Sequence, residues 1–119
     1  GGFMEKNELI KQLLELPLLI KQQHAKLLTH VSAVESIKQR LQTREDIALN
    51  EISENKELKN ETVRQLSLRA KLKEDVLFSE TNNRLQQEQA ELNNAKLELE
   101  FLDNTFSALK AITRITKEE

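Results

Sequence analysis

Leu85, Leu92, Leu99 and Phe106 recur every seven residues, and Ala95, Leu102 and Leu109 fill complementary positions between them. This three-four spacing draws one apolar seam along a helix predicted over residues 78–116. Glu88 and Thr113 weaken the seam near its ends without shifting its phase. A rougher pattern precedes it. Ile20, Leu27, Val31, Val34, Leu41, Ala48 and Ile52 line one side of a helix predicted over residues 18–52. His24, Lys38 and Glu45 interrupt that side at intermediate positions. Each arm spans roughly 50–60 Å at a rise of 1.5 Å per residue. Arms of similar length favour an antiparallel hairpin, because a shorter arm would leave part of the other's stripe in water. This arrangement lays residues 18–52 along residues 78–116 and brings Ile20 close to Leu109.

Pro17, the only proline, cannot donate to the carbonyl of Leu13. It either opens a new helix or bends the outer end of the first arm, so NELIKQLLEL is a short separate helix or part of that arm. Between the arms, SENKELKNETVRQLSLRAKLKEDV opens on Ser, Asn and Glu, with Asn60 placed to cap a following helix. Val63, Leu66 and Ala70 then recur at helical spacing and predict a connecting helix over residues 60–73. So short a helix is marginal alone and is expected to pack on the arms. Its junction with the last helix reads either as a bend between Lys73 and Ser79 or as one continuous helix.

One hairpin leaves apolar positions over. Leu14, Leu19, Leu28, Ile37 and Ile47 fall off the first seam, and Leu97, Phe101, Ala108, Ile112 and Ile115 form a second stripe on the last helix. Fully burying one such Leu or Ile is worth about 1.5–3 kcal/mol, so a bundle that covers both stripes is favoured. The predicted fold class is therefore all-α: a long antiparallel, coiled-coil-like helical hairpin with a short connecting helix, assembled into a dimeric helical bundle. Leu85, Leu92, Leu99, Leu102, Phe106, Leu109, Phe101 and Ile112 are the expected core and dimer residues. In the alternative, the connecting helix and the N-terminal segment fold back over the second stripe.

Composition agrees with helix. The 119 residues suffice for one domain, and the two glycines, Gly1 and Gly2, precede Phe3 and Met4. Residues 1–3 read as a cloning remnant and residues 4–119 as a single all-helical domain. A glycine-free remainder disfavours hairpin turns that need positive φ. No apolar run reaches the eighteen or so residues of a membrane span, and no secretory signal is evident. With no cysteine there are neither disulfides nor thiolate metal sites, which fits a cytoplasmic protein.

Charge is uneven beneath a net value of -2. Lys59, Arg64, Arg69, Lys71 and Lys73 stand against a single acid, Glu61, in KNETVRQLSLRAKLK. A second basic region is expected where the hairpin brings its ends together. No acid lies between Glu15 and Glu35, where Lys21 and Lys26 fall, nor between Asp103 and Glu118, where Lys110, Arg114 and Lys117 fall. Either cluster could meet an acidic protein surface or a phosphate backbone. The bland reading is that cations near a helix C-terminus complement its dipole. Without stacking aromatics in these windows, or a contiguous basic helix, sequence-specific readout of nucleic acid is not expected.

Catalytic signals are missing. His24 and His30 are six residues apart and point different ways on a helix, with no acid between them to complete a metal-ligand cluster. Glu45-Asp46 and Glu74-Asp75 are adjacent and so do not share a face. No phosphate loop, zinc-protease helix or nucleophile elbow occurs. No catalytic residue, cofactor or metal is expected.

Residues 55–112 carry Asn60, Glu61 and Arg64 as an Asn-Glu-x-x-Arg element, Asp75 three residues before Phe78, and a Glu-rich helix ending in Phe106, Ala108 and Leu109. In these features the segment resembles small helical coiled-coil accessory proteins of phages and prophages of Gram-positive bacteria. Phe78 stands where such proteins commonly carry Tyr, which removes a hydroxyl contact. The resemblance implies a non-enzymatic protein of the host-cell cytoplasm that inhibits or adapts a DNA-processing or defence protein. The expected partners are a second copy of the chain and another protein, with no membrane. Sequence-independent DNA or RNA binding, and a purely structural helical oligomer, are the alternatives.

Overall fold

A computed structural model of the chain describes residues 5–118 and the side chains of residues 5–115. The expected cloning remnant, residues 1–3, lies outside the described residues, as does the side chain of Lys117. Among the described residues the fold is the expected all-α helical hairpin without strands: α1 (Lys6–Glu54), α2 (Glu61–Glu74) and α3 (Val76–Glu118). α1 is rich in Leu, Glu, Gln and Lys, which favour helix, and it passes through Pro17 without a break. Pro17 sits on the exposed side, where the Leu13 carbonyl that it cannot satisfy can turn to water. NELIKQLLEL therefore belongs to α1, and the first arm begins at Lys6 rather than at residue 18.

Local chemistry sets the breaks. After α1, the Asn55 side chain accepts from the amide of Glu57 at 3.0 Å and turns the chain. Asn60 then caps α2: its backbone is extended, at φ -108° and ψ 136°, and its side chain accepts from the amide of Thr62 at 2.8 Å. α2 and α3 are separated by one residue, Asp75, whose ψ of 104° leaves the helical region. Asp75 Oδ1 accepts from the amides of Leu77 at 3.0 Å and Phe78 at 3.2 Å, so the residue that ends α2 also caps α3. The break falls inside the window expected for a bend, and the continuous-helix reading is excluded.

The chain divides into two compact units. One holds α1 up to His30 and α3 from Glu91 onward. Its core is Leu9, Leu16 and Leu109, with Leu13, Leu102 and Phe106 packed against them. Further along, the Gln23 side chain donates to the carbonyl of Ala95 at 3.3 Å. Progress up α1 thus matches retreat down α3, and the pairing is antiparallel. Its register differs from the expectation: Leu109 packs with Leu9 and Leu16, not with Ile20. α1 gains about three turns ahead of Pro17, and Leu9 and Leu16 on those turns take the place beside Leu109.

The other unit is Val31–Ala90. Val34, Ile37, Ala48 and Ile52 are its buried apolar residues, with Ile37 only 2% exposed. Ile37 was expected off the seam, and Val31 on it. The structure reverses them: Val31 is 38% exposed. Ile20, Leu27, Val34, Leu41 and Ala48 do turn inward, but the positions between them are Gln23, His30, Ile37 and Arg44, three residues on rather than four. From Ile20 to Arg44 the helix keeps this phase, and beyond Ala48 the inward position is Ile52, as expected. That phase buries Ile37 and leaves Lys38 and His24 in water, at the expense of Val31.

Candidate interaction surfaces

The polar residues on the inward side of α1 each acquire a partner across the helices. In the first unit Gln23 meets the Ala95 carbonyl, and His30 Nδ1 lies 3.7 Å from Glu91 Oε2. In the second, Arg44 Nε and Nη2 both reach Asp75 Oδ2 at 2.7 Å. The Arg44 side chain is 32% exposed and that of Asp75 15%, so the pair is partly shielded from water. The hydrogen bond from Arg44 leads the effects that hold the Asp75 carboxyl below its usual range, helped by the amides of Phe78 and Leu77 and opposed by desolvation. These seam contacts fix register rather than chemistry.

The basic residues of the connecting segment take different roles. Lys71 Nζ pairs with Glu51 Oε2 on α1 at 2.7 Å. Arg64 Nε donates to the carbonyl of Leu58 at 2.7 Å and closes the loop onto α2. Arg69 and Lys73, four residues apart, share one edge of α2 and line an open groove with Leu72, Phe78, Ser79 and Asn82. Lys59 lies exposed in the loop before α2. The outer face of α2 carries Val63, 42% exposed, Leu66, 59% exposed, and Ala70.

The basic cluster expected at the hairpin's ends is not assembled as expected. Lys26 lines an open groove at the level of Ala95, beside His30, Glu91 and Glu98, and Lys21 lies less than a turn before Gln23. Lys110 follows Leu109, which packs on Leu9, so it lies about 22 Å along α3 from Ala95 at 1.5 Å per residue. Arg114 lies a further turn away, and the Lys117 side chain is outside the described residues. The shifted register is the cause. Lys110 Nζ instead stands 4.6 Å from the centroid of the Phe106 ring, a cation–π contact.

The expected core residues divide between two faces of α3. Leu109 is buried, and Leu85, Leu92, Leu99, Leu102 and Phe106 are half-buried. Phe101 is 63% exposed and Ile112 47% exposed, on the outer face with Leu97 and Ile115. The N-terminal segment does not fold back over them, since it continues α1. Among the described residues, no helix is long and apolar enough to cross a membrane. Against known proteins, the chain matches no family model, no curated protein and no solved structure.

Pairs such as Gln23–Ala95 and Arg44–Asp75 escape a reading by hydrophobicity, because a polar seam residue looks like a defect. The available signal was the seven-residue step from Gln23 to His30, Ile37 and Arg44.

Proposed function

We propose that the chain is a non-enzymatic adaptor or inhibitor, an accessory protein of the phage type, that works by docking α2 on another protein. The observation that carries this reading is that α2 buries none of its residues while it exposes Val63 and Leu66. Fourteen residues of helix are marginal in water, yet α2 is held by a cap at each end and by the Lys71–Glu51 pair. A helix so stabilised and so little buried is prepared to be read by a partner. Its apolar stripe at three-four spacing suits a hydrophobic groove, and Arg69 and Lys73 suit an acidic rim beside it.

Nucleic acid is the less favoured partner. Of the five cations around α2, Lys71 and Arg64 are engaged within the chain. A phosphate track is better served by many free cations in line.

The test is capture from bacterial lysate with the wild-type chain, L66D and R69E/K73E, alongside titration with single- and double-stranded DNA at two salt concentrations. Retention of a protein that both variants lose, with helicity unchanged, is the expected result. Salt-sensitive DNA binding at micromolar protein, without such a protein, would replace this reading with the nucleic-acid one.

A further inference from the structure

α3 carries two seams. The inward one runs through Ala95, Leu99, Leu102, Phe106 and Leu109. On the opposite side Leu97, Phe101, Asn104, Ala108, Ala111 and Ile115 follow the same alternation of four and three, and every one is exposed. Leu97, Phe101 and Ile115 are 64%, 63% and 60% exposed. Apolar residues in a heptad pattern on an outer face are the mark of a second helix contact.

We propose that this outer face binds a second copy of the chain, with the two α3 helices antiparallel about a two-fold axis near residue 106. Size and charge along the helix both point to that occupant. The bulky seam residues Leu97 and Phe101 lie in the N-terminal half of the stripe, and the small Ala108 and Ala111 in the C-terminal half. Reversing one copy sets Phe101 against Ala111, Leu97 against Ile115, and Asn104 against Ala108. The large Phe101 then meets the small Ala111, Leu97 and Ile115 close the two ends of the interface, and the Asn104–Ala108 centre is narrow enough for close approach. A parallel pair would stack Phe101 on Phe101 and leave the alanine layers slack.

The charges bordering the stripe have the same polarity. Between Glu91 and Asp103 the acids are Glu91, Glu98, Glu100 and Asp103, against Lys96 alone. From Asn104 to Ile115 there is no acid, and Lys110 and Arg114 are the bases. Glu100 and Arg114 occupy equivalent positions two heptads apart on one border of the seam. In the antiparallel pair Glu100 of each copy faces Arg114 of the other; a parallel pair in register sets acidic half beside acidic half and gives Glu100 no basic partner. An interface of this kind repeats every contact twice by symmetry. It uses residues 97–115 of α3 and none of α2, so it is tested independently of the docking proposed for α2.

The experiment is sedimentation equilibrium over a dilution series, on the wild-type chain, F101D, E100R, R114E and the double swap E100R/R114E, each checked for helicity. Glu100 and Arg114 are about 21 Å apart along one helix and cannot pair within it. The expected result is a wild-type dimer whose Kd rises about tenfold in each single swap and returns to within about threefold in the double swap. F101D is expected to raise it by about a hundredfold or more. A wild-type chain that stays monomeric at high micromolar concentration would overturn the proposal, as would a dimer that the double swap fails to restore.

Discussion

Arg44 grips one oxygen of Asp75 with two of its nitrogens, each at 2.7 Å, while the other oxygen of Asp75 caps α3. A single residue thus ends one helix through its backbone, and its carboxylate starts the next and ties the corner to α1. The two functions can be separated by substitution. Asp75→Asn keeps an oxygen for the Leu77 and Phe78 amides but loses the charge that Arg44 holds. Asp75→Ala loses both. The expected order of thermal stability is wild type, then Asp75→Asn, then Asp75→Ala, with about 5 °C or more between the extremes in a domain of this size. Equal melting temperatures for the three would show that the corner is held by packing alone.

The same pair sets a pH dependence. The Asp75 carboxyl is held below its ordinary value in the folded chain, first by the Arg44 hydrogen bond. A depressed carboxylate contributes stability that is complete above the unfolded value, near 3.9, and is lost as pH falls through the lower folded value. Arg44→Met removes the principal cause while keeping the aliphatic stem. Melting curves from pH 6 to pH 2 are expected to show a gap between wild type and Arg44→Met that is constant above about pH 5 and closes below it. A gap that does not change with pH would assign the effect of Arg44 to its stem.

The phase of α1 is tested by two substitutions of apolar residues. Ile37→Ala removes a side chain that is 2% exposed and is expected to cost about 2–5 kcal/mol in urea unfolding. Val31→Ala, on a residue already 38% exposed, is expected to cost about 1 kcal/mol or less. The contrast matters because the seam spacing expected from the sequence ranks these positions the other way. Seven-residue repeats of strongly apolar residues made the seam of α3 and the steps from Ile20 to Ala48 legible in the sequence. The intermediate positions were not, because Gln23, His30 and Arg44 turn inward for a partner on the facing helix. That partner depends on register, and register in turn depends on where α1 begins. Pro17 obscured that start: a proline on an exposed helix face costs less than a break in the seam it would interrupt. The Asn60 cap, by contrast, is local chemistry and was visible from its neighbours.

Register itself is open to direct measurement, since the chain has no cysteine to interfere. Leu13 and Phe106 lie in the same packed cluster, as do Leu9 and Leu109. Ile20 is seven residues beyond Leu13, about 10 Å further along α1. The paired variant L13C/F106C is therefore expected to form an intramolecular disulfide readily under mild oxidation. I20C/L109C is expected to remain reduced within one chain, because cysteines with Cα atoms more than about 7 Å apart cannot be bridged without moving the backbone. Rapid closure of I20C/L109C and none of L13C/F106C would restore the register in which the first arm starts after Pro17. Lys21 and Lys26 would then move toward Lys110 and Arg114, and the continuous basic end expected from the sequence would become available to a polyanion.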